Sequence, residues 1–586
     1  MRKLAIVLVT TVLLACFVGT AGADSVRSAA HQPAELTAIS ADEYSDRGLM
    51  AAQSNTTSEA SDTHPPDPEE DVIGWEDGYW YNETIAVDRS DGLNETELDM
   101  VVARSMARVE VVRQVEFEKT VPVEVVSREE YKANFSSEFN YTLADRLHQN
   151  AKWEAMLMVN ESTDATAVQE QNRGATVGGF YSPSEERIVI VSENTTSPKM
   201  NEITLSQELF HALQDQKFNL SSFDYSTQEA HNAADGVVEG DANLVDSKYA
   251  DRCEAEWECL MPQASGGGGG GGEIHFGLYL VEFQPYSDGP PFVQGIYDEG
   301  GWEAVNDLYE NPPKSTEQVI HPEKYGEEEP DIPEIEHTPS GDWQVLEMGE
   351  DSIDYAVFGE AGLSTMLFYP FYHSERTEMP VLGQEDFFNI TASGQLSTVD
   401  PIKYENKYTA GWDGDKLVPY VKGEPSNDSK MGYVWKMNWD SEADAEEFVD
   451  GYTKLLRYYG AENVGGTVWK IPDGAEFADA FGVVKEGSTV TIVNGPTIES
   501  LQAIHAMEAL DPSEETTTDT QPTSADPDPT TTESDSATTG SDLTTTGSEP
   551  TTTGEGGSSV PGFGFGVALL ALAAIVGSAL IARRNQ

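Results

Sequence analysis

Hydrophobic spacing changes period several times along the chain, and each change marks an element. In "LNETELDMVVARSMARVEVVRQVEF", Val102, Met106, Val109 and Val112 recur three or four residues apart, which predicts one face of a helix. "TVPVEVVS" alternates like a strand, and "GGFYSPSEERIVIVSE" reads as two strands joined by a turn. Leu205, Leu209, Ala212 and Leu213 form the next helical stripe, so "SQELFHALQDQ", residues 206–216, is expected on an amphipathic helix. A second helix is expected from Ala230 to Tyr249, followed by a helical block over 273–333. From about 340 to 510 helices mix with strands. There, "YVWKMNWDSEADAEEFVDGYTKLLRYY" predicts a strand and then a helix capped by Asp440 or Ser441. The chain shows no internal repeat. Its elements follow one another in mixed order, which predicts an α+β fold.

The two ends carry a different pattern. "MRKLAIVLVTTVLLACFVGTAGADS" has basic Arg2 and Lys3, an apolar run and Ala21-Gly22-Ala23, so residues 1–23 are expected to be a secretory signal peptide. "LLAC", ending at Cys16, loosely resembles a lipoprotein cleavage box. Residues 24–70 are polar and read as a flexible linker, and 511–560 form a Thr/Ser-rich stalk that cannot build a core. In 561–586, Pro561, Gly562 and Phe563 precede an apolar run to Ala582 that is long enough to span a bilayer, with Arg583 and Arg584 behind it. The order of stalk, Pro-Gly-Phe, apolar helix and basic end resembles the haloarchaeal sorting signal read by an archaeosortase. That resemblance implies replacement of the helix by a lipid; a plain C-terminal anchor is the alternative. Either places the ectodomain on the extracellular side of the cytoplasmic membrane.

Charge sharpens this. Of 586 residues, 103 are acidic and 34 basic, a net charge of -69 that repels nucleic acid and anionic lipid. A folded chain this acidic resembles those of salt-loving archaea. Ten N-x-S/T sequons fit an exported glycoprotein: Asn55, Asn82, Asn94, Asn134, Asn140, Asn160, Asn194, Asn219, Asn389 and Asn427. Beyond the signal peptide only Cys253 and Cys259 remain, and outside the cell a disulfide is the expected use.

Within the helix at 206–216, Gln207 and His211 lie four residues apart and project on the same side. Two His at that spacing grip zinc, and the Glu after the first takes a proton from the bound water. Here Gln207 stands at the first position, followed by Glu208 and His211. Glu239 in "AADGVVEGDAN" is the natural third ligand, with Asp235 and Asp241 near it expected to be solvated or capping residues. His231 lies about 12 Å from Glu239 along one helix, and His275 and His321 sit on other segments. Glu360 is read either as lining the cleft or as a surface residue, and the turn Trp412–Asp415 as suited to a cation. Motifs for serine hydrolases, P-loop nucleotide binding and thioredoxin-like redox chemistry are absent from the sequence.

"QELFHALQDQKFNL", "DGVVEGDA", "GGWEAVNDLYENPPKSTEQVIHPEKY", "FGEAGL" and "AGWDGD" occur in this order over roughly 95–510. Together they resemble a prokaryotic zincin-like, gluzincin-type metallopeptidase family that reads H-E-L-x-H-A-L-Q-D-Q and E-G-D-A, in a haloarchaeal surface-protein branch. The resemblance implies Glu208 as general base and His211 and Glu239 as metal ligands, with Gln207 at the lost ligand position. It implies a zincin-like domain over 71–335 with a Gly-rich insert at 266–272, and an α+β part over 336–510. A Gln carbonyl suits calcium better than zinc. The expectation is therefore a cell-surface glycoprotein that lacks peptidase activity and carries no cofactor, zinc or calcium being the ions considered. Its partners would be the membrane and an S-layer or a peptide. An active zinc peptidase and a purely architectural envelope component are the alternatives.

Overall fold

The computed structural model describes residues 65–511 except Arg89, 136–140, Glu193, 262–273, 350–351 and 373–379. The signal peptide, the insert at 266–272, the stalk and the Pro561-Gly562-Phe563 signal with its apolar run lie outside the described residues. So do Asn55 and Asn140. Among the described residues no helix is long and apolar enough to cross a membrane.

The architecture is α+β. A short hairpin, β1 (Trp75–Glu76) and β2 (Tyr79–Trp80), precedes α1 (Glu95–Arg113), whose first turn is closed by a capping box between Asn94 and Glu97. Then come β3 (Val123–Val126), α2 (Arg128–Phe135), α3 (Leu143–Ala155) and α4 (Ala165–Thr176). The hairpin β4 (Gly179–Ser182) and β5 (Arg187–Val191) completes a three-stranded mixed sheet in the order β3-β5-β4. β3 runs parallel and β4 antiparallel to β5. Next are α5 (Glu202–Phe218), which holds the 206–216 stretch, and α6 (Gln228–Ala255), longer at both ends than its apolar stripe predicts. α7 (Phe276–Glu310) is broken at Gly301, where φ is +66°, and is followed by α8 (Thr316–Ile320).

The remainder is a sheet with helices on it. In chain order it comprises β6 (Trp343–Val345), α9 (Gly359–Phe368), α10 (Gln384–Phe387), β7 (Trp412–Lys422), β8 (Met431–Trp439) and α11 (Glu442–Tyr458). β9 (Glu462–Gly465), β10 (Val468–Lys470), β11 (Ala480–Glu486), β12 (Thr489–Gly495) and α12 (Ile498–Ile504) follow. Seven strands pair antiparallel in the order β6-β7-β8-β12-β11-β10-β9. Period-two alternation divides them between two cores. Trp435, Met437 and Ile492 face α11 and the helical half, while Val434 and Val493 face α12. Of the two capping residues anticipated for α11, Ser441 accepts the Asp444 N–H. The larger core also takes Trp153, Met156, Leu278 and Phe283, so the parts before and after residue 336 share one hydrophobic interior.

α6 and α7 cross very closely. A Cβ on Gly289 would lie 2.6 Å from the Gly236 carbonyl oxygen, and one on Gly240 would lie 2.5 Å from Val293 Cγ2. α7 also contains Pro285, which cannot donate to the Val281 carbonyl one turn earlier. Asn232 of α6 fills that gap, its Nδ2 donating to Val281 O at 2.7 Å. Gly240→Ala should therefore separate the two helices and cost about 1–3 kcal/mol of stability. Denaturant unfolding of the variant measures this, and an unchanged midpoint would show that the crossing has slack.

Candidate functional site

α5 starts at an Asn201 cap and ends at Asn219 in the left-handed region, φ +52°. Its N-terminal turn is held by Glu202, whose carboxylate is fully buried between Arg104 and Arg108 of α1. Glu202 also accepts from Tyr249 OH at 2.7 Å and from Leu260 N at 2.7 Å. Cys253 and Cys259, joined as a disulfide, lie beside this group, with Cys259 Sγ 3.5 Å from Arg108 Nη1.

The apolar stripe Leu205, Leu209, Ala212 and Leu213 packs against α1 and α6 as expected. The opposite face is not solvated. Gln207, Glu208, His211 and Gln214 are all within 3 % of full burial, which corrects the expectation of an amphipathic helix. This face meets α6 and α7.

The placement of His211 follows from a chain of buried bonds. Arg113 of α1 pairs with Asp241 of α6 at 3.0 Å, both side chains entirely removed from solvent. Tyr309 OH donates to Asp241 Oδ2 at 2.8 Å and accepts from Gln214 Nε2 at 2.6 Å. The Gln214 amide also donates to Val238 O at 2.9 Å. Both Gln214 donations are thereby fixed, so its Oε1, 2.8 Å from His211 Nδ1, can only accept. His211 must then carry its proton on Nδ1 and direct the Nε2 lone pair away from Gln214. Burial lowers the His211 pKa to about 4, which keeps the ring neutral.

That lone pair faces Glu239, with Nε2 to Oε2 at 3.6 Å. Tyr286 OH donates to the other oxygen, Oε1, at 3.0 Å. Burial, then the nearby Asp235 carboxylate, raises the Glu239 pKa well above the ordinary range, with a further contribution from Glu208. His211 Nε2, Glu239 Oε2 and Gln207 Oε1 are buried without a hydrogen-bond partner among the described residues. The structure thus brings together His211 and Glu239, and the charge of Glu208 reaches Glu239.

The donor set does not fit a catalytic zinc. Zinc takes three or four nitrogen, sulfur or carboxylate donors, and Gln207 offers a neutral amide oxygen. Among the described residues no three His, Cys, Asp or Glu side chains converge as a metal cluster. Among the described residues no other His joins such a cluster. His275 caps α7 and contacts Met158 O at 2.9 Å, and His321 Nε2 bonds Glu360 Oε2 at 2.9 Å.

Several expectations are corrected. Asp241 is neither solvated nor a cap but the buried partner of Arg113, and Asp235 is 7 % exposed and bonded to His231 at 3.0 Å. Glu360 is fully buried, not on the surface. Asp415 receives the N–H groups of Phe358 and Gly359 and both the Trp412 and Trp435 indoles, so it organises the start of α9. Asn82, Asn94, Asn194, Asn219 and Asn427 are exposed, and Asn160 and Asn389 half-buried.

Sequence reasoning missed Arg113, Gln214, Tyr286 and Tyr309. Only Gln214 left a signal, three residues after His211 on the same helical face. It also missed a cavity of about 560 Å³ between α3, α4, α6 and α7, which Asp235 and Tyr286 connect to Glu239. Lys152, 6 % exposed, lines it, and burial lowers its pKa to about 8.

Residues 344–505 match a family described as a domain of unknown function, DUF8575, a stretch that covers most of the sheet half and neither α5 nor α6. No curated protein and no solved structure matches the chain.

Arg113→Met strands Asp241 in the interior and should cost about 3–5 kcal/mol, whereas adding Asp241→Leu should recover most of it. Unfolding free energies of both variants measure the coupling. A single-variant loss below about 1 kcal/mol would place the pair in a wet environment.

Proposed function

We propose that the chain is an exported, membrane- or lipid-tethered surface glycoprotein whose zincin-like helix pair serves as a binding cleft at the cell envelope and does not hydrolyse peptides through zinc. One observation carries this reading. Gln207 occupies the position of the first ligand, while His211 and Glu239 keep the mutual placement of a ligand pair. Two strong donors and an amide hold zinc weakly. The remaining group is buried and partly unsatisfied, and Tyr286 and Asp235 link Glu239 to a cavity of about 560 Å³. Export and tethering rest on the signal peptide, the sequons and the C-terminal signal in the sequence.

A second reading, a working zinc peptidase, is favoured by the Gln214 bond to His211 Nδ1, because metal-binding imidazoles use such a partner to fix their tautomer. The two readings part in one experiment. Full-length protein purified in concentrated salt is assayed for bound zinc by elemental analysis, and for peptide cleavage with and without a chelator. The wild type should hold no stoichiometric zinc and show no chelator-sensitive cleavage, and Gln207→His should acquire zinc. Stoichiometric zinc with chelator-sensitive cleavage in the wild type would overturn the binding reading. Failure of Gln207→His to bind zinc would leave the architectural role as the better account.

A further inference from the structure

Resting on the reading of this region as a binding cleft, we propose that the cavity between α3, α4, α6 and α7 binds a neutral saccharide of one or two rings. Hydrogen-bonding atoms left unpaired on its wall and a row of aromatic rings on α7 form the recognition surface.

The charged side chains of the wall are already committed to one another. Asp235 pairs with His231 at 3.0 Å. Asp145 accepts from the Thr142 N–H and hydroxyl, both at 2.8 Å, in the capping box of α3. The Glu282 charge acts on Lys152, whose ammonium also lies 3.5 Å from Gln228 Oε1. Arg173 bonds Tyr141, and its charge is felt at Lys152 as well. Burial works against protonation of His231, but the charge and hydrogen bond of Asp235 more than offset this and raise its pKa. Three carboxylates are therefore set against Lys152, Arg173 and His231. A wall balanced in this way selects a guest without charge.

The atoms left over are mostly acceptors. Gln149 Oε1, Asp235 Oδ1, His148 Nε2, Tyr225 OH and Tyr279 OH belong to lining residues, and each is buried with no hydrogen-bond partner among the described residues. His148 donates its other ring N–H to the Tyr355 carbonyl. Burial, then the Lys152 charge, lowers its pKa to about 4, so Nε2 is a bare lone pair. Three of the five atoms can only accept, and the other two are hydroxyls. Buried polar atoms seldom stay unpaired. This set calls for a guest carrying several O–H groups, which donate to the acceptors and exchange either way with the phenols.

Tyr279, Phe283 and Tyr286 line the same cavity from successive turns of α7. Their ring centroids lie 5.7 and 5.8 Å apart, with planes 15° and 11° from parallel. A pyranose presents C–H groups across its faces and hydroxyls around its rim, which matches flat carbon rings set among acceptors. A peptide offers one backbone N–H per residue and has no such rim. The volume of about 560 Å³ falls in the ordinary range for small-molecule sites. A net charge of -69 is indifferent to a neutral guest, and salt that screens ionic attraction leaves neutral contacts in place.

The test is a saturation-transfer NMR titration of the full-length protein in concentrated salt. The probes are glucose, galactose, mannose and N-acetylglucosamine, their methyl glycosides, cellobiose and maltose. Glucuronate and glucosamine serve as charged analogues, and an acetylated, amidated dialanine represents the competing class. A neutral sugar should bind at least about tenfold tighter than either charged analogue, whose charge would be desolvated without a partner. Tyr225→Phe and Tyr279→Phe should each weaken it about three- to tenfold. Their unfolding midpoints should stay unchanged or rise, because each hydroxyl removed has no partner in the protein. Equal affinity for a methyl glycoside and its free sugar identifies glycan ends as the guest, and loss on methylation identifies the free sugar. A charged analogue that binds as tightly as the neutral sugar overturns the assignment. So does binding of the dialanine and no sugar, or sugar affinity that neither hydroxyl deletion alters. Binding of no probe overturns it too. The zinc assay decides the cleft reading separately, so a zinc-free protein that takes no sugar ends this inference alone.

Discussion

The ion pair between Arg113 and Asp241 is the interaction on which the helical half depends. Both charges are out of water, where an unpaired ion would be untenable, so α1 and α6 cannot move apart without leaving one stranded. Tyr309 attaches α7 to the same carboxylate, and Gln214 attaches α5 to Tyr309. Four helices therefore converge on one charge. The orientation of His211, the most chemically suggestive side chain in the molecule, is the last consequence of that convergence. A second buried group, Glu202 between Arg104 and Arg108, fixes the start of α5 in the same manner. The two clusters set where the helix begins and how it is rotated, and the apolar stripe fills the space between.

This arrangement separates the side chains that hold the scaffold from those that do not. The partners that orient His211 and Glu239 are also structural: Asp241 neutralises an arginine, and Tyr286 and Tyr309 sit on α7, which carries part of the core. Gln207 bears no such load, since its amide oxygen has no hydrogen-bond partner among the described residues. A substitution there changes the chemistry of the cleft and leaves the scaffold in place. The buried acids are likewise divided. Three arginines of α1 neutralise the buried carboxylates of Glu202 and Asp241, while burial itself raises the pKa of others, such as Glu229, Glu239 and Asp246.

Much of the fold was legible in the sequence because it rests on local spacing. The stripe from Val102 to Val112 gives α1, the alternation in "TVPVEVVS" gives β3, and Ser441 caps α11 three residues before Asp444. The burial of the polar face of α5 was not legible. Its partners lie far away in sequence: Arg104 is 98 residues from Glu202, and Arg113 is 128 residues from Asp241. A periodicity argument reads each of those charges as solvent-facing, and only tertiary pairing reverses that. His211 and Glu239 stood out because they fall in recognisable strings. Lys152 and Tyr309 did not, because nothing local distinguishes a lysine facing a cavity from one facing solvent.

The glycine contact between α6 and α7 has a bearing on motion. With Gly289 set against Gly236 and Gly240 against Val293, and with the Asn232 amide occupying the carbonyl that Pro285 leaves bare, the two helices are keyed to a single register. Sliding one past the other would break every one of these fits at once, so shear along this interface is closed to the protein. The cleft floor is rigid.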